Sequence, residues 1–229
     1  MLLKRFFLFF LLGTPLWVSG WPFFFGEDPS QPEVKKSIIV IDPAGDSSYE
    51  GREIEDTFER SLTLRCGQAI KEHFERAEVP TTRVFLTRYP GEMVEPLQNI
   101  SFSNRLNADL YVSLHFFKTE RAKPELFIYT YSLDPAVDSI EKKFTTLSLL
   151  PYDQAYKVSF KKTQELSKLF YQSLLQSSVA HCHAPVAFPF KPLLGITAPA
   201  LGLEIGLSKE SQIASLISLI THALESVLQ

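Results

Sequence analysis

A small set of acidic and imidazole side chains falls where α/β proteins do their chemistry. Asp42 and Asp46 follow the apolar run 37–43. Glu59 opens a helical pattern, His115 ends the run 108–115, and Glu204 closes the run 200–205. Open α/β sheets bind ligands outside the carboxyl ends of their strands. Imidazole nitrogen and carboxylate oxygen suit a zinc ion, which takes such donors at about 2.0–2.2 Å in a tetrahedral shell. Catalytic zinc keeps one position for water and lowers the pKa of that water to about 7. A further carboxylate off the metal can then serve as general base. Glu204 follows an apolar strand, where a carboxylate without a partner is costly. It therefore needs metal-bound water, a lysine or an arginine, and Arg88 is one candidate. Each residue also has a plainer use. Glu59 in a first helical turn gains about 0.3–1 kcal/mol from the helix dipole alone. Asp46 suits a turn in which it accepts from its own backbone. A lone histidine at a strand end is as often a hydrogen-bonded structural residue.

The surrounding pattern supplies elements to position these groups. In 108–115, Leu110, Val112 and Leu114 alternate with Tyr111, Ser113 and His115, the period of a strand with two distinct faces. The run 37–43 is continuously apolar up to Asp42, as in a strand buried on both faces of a parallel sheet. An acidic loop, 50–56, follows. Phe58, Leu62, Cys66, Ala69, Ile70, Phe74 and Ala77 recur at helical spacing and predict a helix over 57–77. Further strands are expected at 83–88, 125–131, 186–194 and 200–205, the third despite Pro189 and Pro192. Helices are expected at 97–107 and 159–179, with a loop and short helix in 132–158. Ser208 is placed to cap a last helix with Ile213, Leu216, Ile217, Ile220, Leu224 and Val227 on one face. This alternation predicts a single three-layer α/β domain over 37–229, with a twisted, mostly parallel sheet and helices on both faces.

Bulk properties narrow the function classes. The chain has 229 residues, 45% hydrophobic and 21% charged, with a net charge of -3. That is enough chain for a sizeable core, and it carries no electrostatic footprint for nucleic acid. Lys4 and Arg5, the apolar stretches 6–12 and 16–18 and Val18-Ser19-Gly20 read as an export signal over 1–20, and 21–36 as a linker that is polar from Gly26 on. The expected location is therefore periplasmic or elsewhere in the cell envelope, with membrane contact only through an uncleaved signal. Cys66 and Cys182 are the only cysteines, and two buried free thiols are the preferred reading.

Four blocks in order resemble the zinc-dependent N-acetylmuramoyl-L-alanine amidases of the type-3 cell-wall family. They are Ile39-Val40-Ile41-Asp42-Pro43; Glu59 to Leu64 with Leu86-Thr87-Arg88; Asn104 with Ala108 to His115; and Pro199 to Leu207. The resemblance implies hydrolysis of the amide between the lactyl group of N-acetylmuramic acid and L-alanine. It implies zinc as cofactor, Glu59 and His115 as metal ligands, and Glu204 as general base. Its partners would be peptidoglycan or muropeptides, with a protein activator left open. The first block departs from the family. Gly45 stands where the family has a metal-binding histidine, and Asn99 replaces an arginine ahead of Asn104. Asp46, or His181 and His183, could fill the vacant ligand position. The alternative is a protein that holds peptidoglycan, or regulates wall enzymes, without cutting. Phe116-Phe117, bulkier than the family's residues there, would narrow the cleft.

Overall fold

A computed structural model describes residues 36–76, 81–95, 97–134 and 150–228. The expected export signal, nearly all of the linker and most of the loop 132–158 lie outside the described residues. Along the chain run β1 (Ser37–Pro43), β2 (Glu53–Ile54), β3 (Thr57–Phe58), α1 (Glu59–Glu75), β4 (Thr82–Leu86), α2 (Gln98–Leu106), β5 (Leu110–Lys118) and β6 (Glu125–Tyr131). A 3-10 segment, Tyr152–Ser159, leads into α3 (Phe160–Leu174). Then come β7 (His181–Cys182), β8 (Val186–Phe188), β9 (Ala200–Leu207) and α4 (Ile213–Leu228).

Seven strands form one sheet in the order β4-β1-β5-β9-β6-β7, with β8 also on β6. Within this sheet, among the described residues, only the β6–β9 pairing is antiparallel. One face carries Ile39, Ile41, Leu110, Val112, Leu114, Leu201, Leu203 and Ile205, all fully buried under α1, α3 and α4. Each such side chain contributes about 1.5–3 kcal/mol on burial. The opposite face starts apolar, with Val40, Tyr111 and Ala200 packed against Leu193 and Ile196 and bordered by α2. Further along the strands it turns polar. This is the three-layer α/β architecture the pattern predicts, with a single mostly parallel sheet.

Several boundaries differ from the sequence expectation, each for a local reason. The first helix begins at Glu59 rather than at position 57. Thr57 and Phe58 instead pair back onto Ile54 and Glu53 across a turn in which Glu55 has φ 51°. Glu59 is therefore the first residue of α1. The strand expected to end at His115 runs on to Lys118, because 115–118 pair with Glu204–Leu207. Of 186–194 only Val186–Phe188 joins the sheet. Pro189 and Pro192 offer no N–H to a ladder, and Lys191–Leu193 closes into a 3-10 turn. The long helix ends at Leu174 rather than 179. Ser208 does not cap by accepting. The Gln212 side-chain oxygen accepts from the Ser208 N–H, the Lys209 N–H and the Ser208 hydroxyl. Cys66 and Cys182 are free thiols, the first buried and the second half-buried.

Candidate functional site

Strand register assembles the polar face. Asp42 of β1 lies beside Ser113 of β5, His115 beside Glu204 of β9, and Glu204 beside Phe127 of β6. Glu59 reaches the same place from the N-terminus of α1. The structure thus brings together Glu59, His115 and Glu204 from three distant segments. Glu59 is only 3% exposed. Its Oε1 accepts from the Phe116 N–H at 3.1 Å and lies 3.2 Å from His115 Nδ1. The other ring nitrogen, His115 Nε2, is 3.1 Å from Ser113 Oγ.

A fourth group joins them that sequence reasoning missed. The backbone N–H and Nε of Arg52 donate to Glu59 Oε2 at 3.1 and 3.2 Å. Its Nη2 donates to Glu59 Oε1 at 3.2 Å and to Glu204 Oε1 at 3.0 Å. The guanidinium therefore bridges the two carboxylates. Burial alone would push the Glu59 carboxyl up, but hydrogen bonds from His115 and Arg52 outweigh it and bring it down to about 2. For Glu204 the sequence left metal-bound water, a lysine or an arginine as partner, and the structure pairs it with an arginine. The partner is Arg52 and not Arg88. Arg88 is buried and donates to the carbonyls of Pro43, Ala44 and Arg60 and to Thr63 Oγ1. Only its position in the acidic loop, between Glu50 and Asp56, marked Arg52 in advance.

A second polar network adjoins. Asp42 Oδ1 accepts from Thr87 Oγ1 and from Asn99 Nδ2, each at 2.6 Å, and Oδ2 accepts from the Tyr111 hydroxyl at 2.7 Å. Ser113 links the two networks, 3.4 Å from Asp42 and 3.1 Å from His115. Asn104 positions the approach to β9, donating to the Gly195 carbonyl and accepting from Thr197. A cavity of about 480 Å³ opens beside the cluster, lined by Asp42, Gly45, Asp46, Arg52, Glu59, Asn99 and His115 among others. Phe116 is fully buried on the far face of β5. Phe117 lies over Gly206, and Phe190, 5.4 Å from the His115 ring, lies over Gly202. A Cβ at Gly202 would sit 2.4 Å from the Phe190 ring, so two rings wall Glu204 along its strand. Burial and then the Glu204 carboxylate push the Tyr129 phenol up.

The substitutes for the missing ligand are turned elsewhere. Asp46 borders the cavity, but its Oδ1 accepts from the Ser48 and Tyr49 N–H groups and the Ser48 hydroxyl, and its Oδ2 from the Val94 N–H. Those bonds, Val94 first, bring its carboxyl down to about 2. His183 stacks on Phe127 at 4.0 Å with Nε2 3.3 Å from Glu125 Oε1, and His181 packs edge-on against it. Neither histidine lines the cavity. Gly45 itself has φ 77°, and a Cβ there would lie 2.6 Å from Arg60 Cβ, so the turn has no room for a side chain.

Comparison with known proteins places the chain among cell-wall amidases. The sequence profile of the N-acetylmuramoyl-L-alanine amidase family matches residues 39–218, and the chain belongs to that family. Among solved structures, the N-acetylmuramyl-L-alanine amidase of Mycobacterium smegmatis is similar at a TM-score of 0.62 and 10% identity, over 85% of this chain and 98% of that one. The N-acetylmuramoyl-L-alanine amidase of Nostoc punctiforme matches at 0.59 and 16% identity, over 84% and 97% of the two chains. The CwlD amidase of Clostridioides difficile, solved in complex with the GerS lipoprotein, matches at 0.55 and 15% identity, over 84% and 98%. No curated protein matches the sequence at a significant level.

The family is generally zinc-dependent. The residues of this chain do not fit that ion. Both Glu59 oxygens accept hydrogen bonds from Arg52 or the Phe116 N–H, and His115 Nε2 lies 3.1 Å from Ser113 Oγ. A cationic side chain already sits between Glu59 and Glu204. Among the described residues no group of three or more His, Cys, Asp or Glu side chains is arranged to hold a metal.

Proposed function

We propose that the chain is an exported cell-envelope protein that recognises peptidoglycan at the amide joining the muramoyl lactyl group to L-alanine. The observation that carries this reading is the convergence of Glu59, His115 and Glu204 beside an open cavity in an amidase fold. In this reading the cavity receives the junction. The Glu204 side chain is 24% exposed and presents a carboxylate to the amide N–H. His115 and Glu59 shape the wall beside it. Export is supported by the basic and apolar start of the chain. A protein partner belongs to the proposal too, since the CwlD neighbour was solved bound to a lipoprotein.

Hydrolysis of that amide is the second reading, favoured by the retention of those same three residues. Glu204 would then be the acid–base group, and Glu59 and His115 the ligands of zinc, with Asp46 as a third. Arg52 would have to leave Glu59, and Asp46 its turn, before such a set could form.

The test uses the purified full chain and isolated sacculi, with zinc and with a chelator. Co-sedimentation reads binding, and the appearance of new L-alanine amino termini reads cleavage. Recognition predicts that the chain sediments with sacculi in both buffers without releasing peptide. A chain that stays in the supernatant in both buffers contradicts it. Zinc-dependent release of peptide would establish the hydrolytic reading instead.

A further inference from the structure

We propose that Arg52 is the resident cation of this site, filling the electrostatic place of a metal, so that the domain and its ligand binding need no divalent ion. The inference deepens the reading above and rests on it only for where the family places its metal.

Three independent features build the arginine into the site. The first is its donor geometry. Four hydrogen bonds run from its backbone N–H, Nε and Nη2 to three carboxylate oxygens, at 3.0–3.2 Å. A planar guanidinium fork matches a carboxylate in this way. The second is the chain around Glu59. Gly51 has φ 74°, and a Cβ there would lie 2.7 Å from Glu59 Oε2, so the backbone lies directly against that carboxylate. The Glu59 N–H in turn donates to the Arg52 carbonyl at 2.8 Å. Backbone and side chain of 51–52 thus wrap the buried carboxylate, and the β2–β3 hairpin that follows holds the wrap in place. The third is a cation–π contact, with the guanidinium carbon 5.8 Å from the centroid of the Phe117 ring.

The charges also account for the missing histidine. Two carboxylates side by side need a cation, and a metal or an arginine can provide it. With Arg52 seated, a third ligand has no task, and the turn at Gly45 has closed to any side chain.

The test measures zinc in the dialysed full chain by elemental analysis. It adds thermal unfolding with zinc chloride or EDTA, for the natural chain, His115→Ala and Arg52→Met. The expected result is far less than one zinc per chain and an unchanged Tm in either additive. Arg52→Met should unfold at a distinctly lower temperature in metal-free buffer. About one zinc per chain would overturn the proposal. So would a zinc-driven rise in Tm, roughly 5 °C or more at a hundredfold excess over Kd, that His115→Ala abolishes. Arg52→Met with the Tm of the natural chain would overturn it as well. Should that variant not fold, zinc content and Tm of the natural chain decide alone. Sacculus binding is read separately. A zinc-loaded chain that binds sacculi overturns the role of Arg52 only, and a zinc-free chain that binds none overturns the proposed function only.

Discussion

Two buried glutamates in this molecule have nearly the same company and different consequences. Glu59 has His115 at 3.2 Å and Arg52 at 3.2 Å. Glu125, at the start of β6, has His183 at 3.3 Å and Arg121 at 3.2 Å. Both carboxylates are nearly fully buried, at 3% and 6% exposure. The arginines differ. Arg121 is 64% exposed and touches one carboxylate, whereas Arg52 is 42% exposed and bridges Glu59 to Glu204. Glu59 lines the cavity described above, and Glu125 is not among the residues that line it. A Glu–His–Arg set is therefore not in itself a site. In the proposed reading, a second carboxylate and an adjoining space separate the recognition cluster at Glu59 from the clasp at Glu125.

Removing each glutamate tests that contrast most severely. Glu59→Ala leaves the guanidinium, the imidazole and a buried backbone N–H without their acceptor, and should cost about 3–5 kcal/mol in denaturant unfolding. Glu125→Ala loses the acceptor of the Thr119 hydroxyl and frees an exposed arginine, and should cost about 1–3 kcal/mol. Equal losses would erase the distinction.

Acid unfolding is next in size. The folded Glu59 carboxyl lies near 2, below its ordinary value of 4.5. A depressed carboxylate contributes stability that is complete above the unfolded pKa and lost as pH falls through the folded one. Up to about 3 kcal/mol should therefore disappear between pH 4.5 and 2. Glu59→Gln should remove most of that acid-side loss, while Glu125→Gln, whose carboxyl is lowered in the same direction, should remove less. The smallest effect is expected at Arg121→Ala. An exposed ion pair there should change stability by no more than about 0.5 kcal/mol.

What the sequence disclosed follows from how local each feature is. β1, β5 and β9 are written as apolar runs, His115 and Glu204 stand at fixed points along such runs, and Glu59 opens the helical pattern between the first two. Their meeting needed only the parallel order that alternating strands and helices imply. Arg52 could not be read this way. It sits in a loop, seven residues from one carboxylate and 152 from the other, and no periodicity links such positions. The same holds for the start of α1, where helical spacing included Phe58 but hairpin pairing with Glu53 took it. Asp46 was legible as a turn residue, and its turn satisfies Oδ1 while the distant Val94 N–H satisfies Oδ2.

Calorimetric titration of a soluble muramoyl tripeptide into the full chain, in chelator, tests the central claim most directly. Saturable binding that Glu204→Ala abolishes is expected, with the tripeptide recovered intact. Absence of binding in chelator, with binding or cleavage restored by zinc, would contradict it.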